Sequence, residues 1–265
     1  MSYVKPDVAL SMIIDAGAKK AKLPIKTLLI AGMLSGAFLG VATTLALSAS
    51  IQTGVGIVGA LIFPVGFVLI SLLGLELLTG NLAFLPLVLK DKKISILDLF
   101  YNWSFVLLGN LLGSIVYAFL YYITITKMGN IDISDIAIAK KIILISEAKT
   151  LGNAIYGFDG TISVFTSAIL CNWMVSLGAF MAFISTTTSG KILAMWLPIM
   201  TFFALGFEHA IVNMFVIPAG MMFGANVSMS DWWIYNQIPV LLGNLVGGMI
   251  FTGFILYIIL KKRAE

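Results

Sequence analysis

The apolar positions of this chain come in long runs without charge. No charged residue occurs between Lys26 and Glu76, which leaves room for two helices of about 20 residues, the length that crosses a lipid hydrocarbon core. Further charge-free runs go from Asp98 to Lys127, Asp159 to Lys191, His209 to Asp231 and Asp231 to Lys261. With their turn signals these runs predict six spans, at about 27–49, 57–78, 99–123, 161–184, 192–210 and 235–260. The apolar segments 79–90 and 211–224 are too short to cross and read as half-helices. The expected organisation is a cytoplasmic amphipathic segment at 1–26, a first transmembrane repeat at 27–123 and an extracytoplasmic linker at 124–160 with room for a short helix. A second repeat at 161–260 and a cytoplasmic tail at 261–265 follow.

The word repeat rests on two patterns that occur twice. Leu107-Leu108-Gly109-Asn110-Leu111-Leu112-Gly113-Ser114 returns as Leu241-Leu242-Gly243-Asn244-Leu245-Val246-Gly247-Gly248, 134 positions later. Gly74-Leu75-Glu76 returns as Gly206-Phe207-Glu208, 132 positions later. The same order at nearly one offset marks a duplication of about half the chain. Three spans per copy is an odd number, so the second copy enters the bilayer from the opposite side. The expected fold is therefore an all-α membrane protein of six transmembrane helices in two inverted three-helix repeats, with the site where the repeats meet. Glycines four apart let helix backbones approach closely, so Gly109, Gly113, Gly243 and Gly247 read as packing surfaces. Asn110 and Asn244 read as hydrogen-bonding groups between helices.

Composition agrees. The chain is 60% hydrophobic and 11% charged, against roughly 25% charged in a soluble domain. The net charge of +4 invites a nucleic-acid reading, but the distribution removes it. With the N-terminus placed inside, most Lys and Arg residues fall on the cytoplasmic face, and only Lys127, Lys140, Lys141 and Lys149 fall outside. That bias puts both termini in the cytoplasm. Cys171 is alone, so no disulfide framework exists. Residues 1–26 lack the apolar core of a signal peptide and read as a short amphipathic helix on the inner membrane face.

Three ionisable side chains fall at membrane depth: Glu76, Glu208 and His209. Such groups are costly in hydrocarbon and are expected to face a pathway or a partner. Each Glu stands where an apolar run stops, before Leu77-Leu78-Thr79-Gly80-Asn81 and before His209-Ala210-Ile211-Val212-Asn213, with Pro86 and Pro218 following. Both stretches read as helix breaks that meet near the midplane, because irregular backbone at that depth is tolerated only inside protein or along a wet cavity. Glu76 and Glu208 are expected to accept hydrogen bonds from amides freed by the breaks, with direct proton transfer as the alternative. His209 has Leu77 as its counterpart and is therefore an asymmetric addition, a group whose protonation is easily moved. One His and one Cys cannot supply a metal site, and no base-and-nucleophile pair points to catalysis. Phe63, Phe67, Phe202 and Phe203 lead into the breaks. They read either as core or as an apolar constriction.

These residues resemble the formate/nitrite transporter family over essentially the whole chain. The matching stretches are Gly74-Leu75-Glu76-Leu77-Leu78-Thr79-Gly80-Asn81, Cys171-Asn172-Trp173-Met174-Val175 and Gly206-Phe207-Glu208-His209-Ala210-Ile211-Val212-Asn213 through Gly220. The resemblance implies a homopentamer in the inner (plasma) membrane, each protomer with its own pore in an aquaporin-like arrangement with broken second and fifth helices, and no cofactor. It implies that His209 is the central pore histidine, with Thr79 and Asn172 beside it. Phe63 and Phe202 are then the outer constriction and Leu77 and Leu78 the inner one. Glu76, Glu208 and Asn213 stabilise the loops. Lys149 lies 23 positions before Asn172 rather than about sixteen, so its part as a vestibule lysine is shifted from the family pattern.

The expected function is a pore for small monovalent weak-acid anions, formate first and nitrite second. A bare anion between two apolar collars costs several kcal/mol, and a proton acquired there, with help from His209, removes most of that cost. A hydrosulfide or lactate channel on the same scaffold is the alternative within transport, and an intramembrane enzyme using Glu208 and His209 the alternative outside it. Absence of an Asn-Pro-Ala pair argues against a neutral-solute pore, and a single His against an ammonium pore.

Overall fold

The computed structural model describes residues 2–264, with side chains through Lys261; Met1, Glu265 and the rest of the tail's side chains lie outside the described residues. The chain is helical almost throughout. In order the helices are α1 (Pro6–Lys20), α2 (Ile25–Thr53), α3 (Gly56–Ile62), α4 (Val65–Leu72), α5 (Leu78–Lys90) and α6 (Ile96–Thr126). Then come α7 (Ala137–Lys149), α8 (Leu151–Ala154), α9 (Gly157–Met181), α10 (Thr188–Ala204), α11 (Ala210–Met222) and α12 (Met229–Lys261). Four helices are long and apolar enough to cross a membrane: α2, α6, α9 with the turn after it, and α12.

The remaining apolar helices come in two interrupted pairs. The segment expected as one span at 57–78 kinks at Pro64 and stops at Leu72, and α5 begins only at Leu78. Likewise α10 stops at Ala204 and α11 begins at Ala210. Each first helix ends on a glycine with positive φ, Gly74 at 65° and Gly206 at 70°, a conformation that side chains with a Cβ rarely adopt. The two half-helices are the most enclosed elements. Every residue of α11 from Ala210 to Gly220 is buried, which is why its sequence is apolar around the whole circumference.

The repeated motifs lie where α6 packs on α2 and α12 packs on α9. A Cβ added to Gly113 would stand 1.8 Å from the Met33 carbonyl oxygen, and one on Gly247 2.2 Å from that of Ile169. α6 and α12 both start with a capping box, Ser95 with Asp98 and Ser228 with Asp231, each of which satisfies orphan amides of the first turn. Within α12 the ladder widens to π-helical turns at Trp233–Gln237 and Gly247–Phe254.

Two segments pack into the fold. In the stretch 124–160, which leaves room for a short helix, α6 continues to Thr126, α9 starts at Gly157, and α7 between them packs on α11. Ala139, Ile142 and Ser146 form its buried stripe, three and four positions apart. α1 likewise buries Ala9, Leu10, Ile13 and Ile14 against the protein. A Cβ on its Gly17 would meet Val88 of α5 at 2.7 Å, so the helix seats on α5.

Candidate functional site

The breaks leave amides at Leu78 and Ala210 without helical partners. They do not go to the carboxylates. The Leu78 amide donates to Asn110 Oδ1 at 3.0 Å and the Ala210 amide to Asn244 Oδ1 at 2.9 Å. Asn110 Nδ2 donates in turn to the carbonyls of Gly32 (2.9 Å) and Glu76 (3.0 Å). Asn244 Nδ2 donates to those of Ala168 (2.8 Å) and Glu208 (3.0 Å). Each asparagine thus ties its break to two helices with one side chain. The expectation that Glu76 and Glu208 take these amides is corrected here: a buried carboxylate gains more from a cation and amide side chains.

Those partners recur on both sides. Lys20 Nζ lies 2.9 Å from Glu76 Oε1, and Lys149 Nζ 2.8 Å from Glu208 Oε1. Asn81 donates to Glu76 Oε2 at 2.8 Å and Asn213 to Glu208 Oε2 at 2.6 Å. Asn81 also donates to Asn102 and Asn213 to Asn236, both at 2.8 Å. Asn102 and Asn236 close the loop on the carbonyls of Lys20 and Lys149, both at 3.1 Å. Asn81 stands in the first break motif without a role assigned to it, and Lys20, Asn102 and Asn236 are not found by reading motifs alone. Asn102 and Asn236 share the 134-position offset of the repeated Gly-Asn motif, whereas Lys20 and Lys149 are 129 apart.

Between the two networks the symmetry fails. His209 is the cap residue of α11, and its Nδ1 accepts from the amides of Ile211 and Val212, both at 3.2 Å. With Nδ1 occupied as an acceptor, the neutral ring carries its hydrogen on Nε2. Nε2 faces Thr79 Oγ1 at 3.3 Å. Asn172 Nδ2 donates to the Thr79 carbonyl at 3.1 Å and to that of Asn244 at 2.6 Å. Its Oδ1 is buried and has no partner among the described residues. The Asn172 counterpart is Gly36, whose missing side chain leaves room for the Asn110 backbone.

Aromatic residues pack against the ring. Phe202 lies against His209, with ring centroids 5.5 Å apart, and meets the edge of Phe63 at 5.6 Å. Phe203 stacks on the other side of Phe63 at 3.9 Å. Leu77 forms part of the wall of a cavity of about 290 Å³ that opens toward α1. Leu78 is buried but does not line that cavity. His209, Thr79, Asn172, Phe202 and Phe63 therefore come together, whereas Lys149 stands with Glu208.

Comparison with known proteins finds relatives along the whole chain. A family model described as formate/nitrite transporter matches residues 7–258. The chain is 37% identical to an uncharacterized transporter, YrhG, of Bacillus subtilis (strain 168), covering 99% of this chain and 96% of that one. It is 32% identical to the formate channel BtFdhC of Bacillus thuringiensis, covering 99% and 98%. A solved structure described as a pentameric formate channel with formate bound superposes with a TM-score of 0.71 at 27% identity, covering 89% of this chain and 97% of the other.

Proposed function

Given that the chain belongs to the formate/nitrite transporter family, an integral membrane protein family, we propose that it is a pore for small weak-acid anions, formate foremost and nitrite second. The interrupted pairs α3–α5 and α10–α11 count as two further crossings, which makes six in two inverted repeats. Both termini lie in the cytoplasm and the membrane is the plasma membrane. The solved relative's description as a pentameric formate channel supports a homopentamer, and each protomer is read as carrying its own pore. Nothing in the site calls for a bound cofactor, and the reading is transport rather than catalysis.

The observation that supports the reading is the His209 ring at the second break, with Nε2 3.3 Å from Thr79 Oγ1 and Phe202 against the ring, itself meeting Phe63. In this reading Phe63 and Phe202 are the closure on one side and the buried Leu77 and Leu78 the closure on the other. An anion that reaches this point has shed water, and desolvation raises its affinity for a proton. The ring N–H holds it there until the proton arrives from the vestibule. The neutral acid then has an oxygen for His209 and an O–H for the unpartnered Asn172 Oδ1. An imidazolium would need a hydrogen on Nδ1 and would release two amides, so a charged ring is a transient form and not the resting one. Glu76, Glu208, Asn213 and Lys149 hold the breaks in place around this centre.

Stopped-flow uptake into proteoliposomes tests the reading, with formate, nitrite, hydrosulfide and lactate compared across pH. Wild type should pass formate fastest, with uptake rising as pH falls. His209→Phe should lose most of the flux and the pH dependence. Wild-type flux and pH dependence in His209→Phe would exclude the proton role. Preference for hydrosulfide or lactate would move the substrate without moving the site.

A further inference from the structure

The cavity on the α1 side holds a cation that the reading above leaves without a part. Two charged residues line it, Lys20 and Lys191, and both are positive. Lys20 is engaged by Glu76 at 2.9 Å. Lys191 is half-buried. Among the described residues its side chain makes no ion pair and no hydrogen bond. Nor is it placed for the good of its helix. Lys191 falls in the first turn of α10, behind the Thr187 cap, where the helix dipole favours an acidic residue and disfavours a cation. A residue that breaks a local rule with no compensating partner is the kind that function retains.

The cation is also one-sided. At the offset of 132 positions that relates the two breaks, the counterpart of Lys191 is Gly59. There α3 packs so close to α2 that a Cβ would stand 2.3 Å from the Ala46 carbonyl oxygen. The opposite approach therefore has no equivalent charge.

We propose that Lys191 concentrates small anions in the chamber beneath Leu77, so that substrate entering from the α1 side is captured at lower concentration than the pore alone would allow. The inference rests on the chain being an anion pore. It concerns capture, not passage: among the described residues Lys191 bonds to neither His209 nor the breaks, so it sets the apparent KM from one side and leaves the maximal rate alone. An ammonium that no carboxylate neutralises, in a chamber with apolar walls, raises the local anion concentration in a salt-dependent way.

The test uses purified full-length protein in proteoliposomes sorted by orientation, with radiolabelled formate measured from each side at low and high salt. K191Q should raise KM from the α1 side roughly tenfold at low salt, reduce its salt dependence, and leave the other side unchanged. K191R should behave as wild type. On K191C a thiol reagent carrying an ammonium should restore the low KM, and one carrying a sulfonate should raise it further. The native Cys171 is fully buried, so the label reports position 191. An active wild type with equal KM values for K191Q would overturn the proposal and leave Lys191 as a topology signal. No formate flux in wild type would instead overturn the pore reading.

Discussion

Leu77 and His209 stand at the same place in the two breaks and share one backbone conformation, φ −121°, ψ 120° in Leu77 and φ −109°, ψ 119° in His209. Only His209 returns a side-chain acceptor to the helix it precedes. The duplication thus supplies the bend twice, and one substitution turned the second bend into both a cap and a donor facing Thr79.

The two roles separate by mutation. Asparagine is a strong cap and keeps an acceptor for the first amides of α11, whereas leucine restores the residue of the first repeat. His209→Leu should lower stability by about 1 kcal/mol and His209→Asn by less. Both should lose most of the formate flux. Thermal unfolding in detergent reads the first effect and proteoliposome uptake the second. Full flux in His209→Leu would detach the ring from the pathway.

Asn110 and Asn244 make matching sets of bonds and should cost matching amounts. Alanine at either leaves a buried amide and two carbonyls without a partner, which predicts a loss of about 3 kcal/mol. Chemical unfolding of Asn110→Ala and Asn244→Ala in the same detergent checks this. A loss much below 1 kcal/mol for either would mean that water or backbone movement replaces the side chain.

How far the sequence speaks depends on whether a feature is local. Gly74, Gly206 and the prolines after them mark the breaks because a turn must be made where it occurs. His209 stands out because its counterpart is Leu77. The partners of the two glutamates are a different matter. Lys20 is 56 positions before Glu76, in a segment that reads as a surface helix, and no periodicity announces a side-chain bond over that distance. Lys20 and Lys149 are 129 apart while the glutamates are 132 apart, so a search at one offset passes over them. The packing of α7, though not the room for a short helix, hides for another reason. Lys140, Lys141, Glu147 and Lys149 give 124–160 a polar average, although Ala139, Ile142 and Ser146 already trace one buried face.

The two ion pairs should not be equally sensitive. Lys149 is 18% exposed and Lys20 34%, so a Lys20 left without its carboxylate is nearer water than a Lys149 left without its own. Glu208→Gln should therefore destabilise by about 3 kcal/mol through the cation it strands, and Glu76→Gln by clearly less. Adding Lys149→Met to Glu208→Gln should recover most of the loss, since a neutral pair leaves no buried charge. Unfolding midpoints of the single and double variants decide the matter. A double variant no better than Glu208→Gln would show that the amide network, not the charge, carries the effect.

Two glycines next to the same machinery should respond in opposite ways to alanine. Gly113 lies against the Met33 backbone, where a methyl would have to displace a carbonyl 1.8 Å away. Neither α2 nor α6 can yield without opening the contact that Asn110 spans. Gly113→Ala should cost about 3 kcal/mol or more, the upper range of overpacking. Gly80 is in the first turn of α5, and nothing stands within 4 Å of where its Cβ would be. Gly80→Ala should stabilise α5 by up to about 1 kcal/mol through helix propensity. Its methyl, however, would enter the cavity wall beside Leu77, so the same substitution should slow formate entry while raising the unfolding midpoint. Higher stability with lower flux would mark that wall as part of the pathway; unchanged flux would place the route elsewhere.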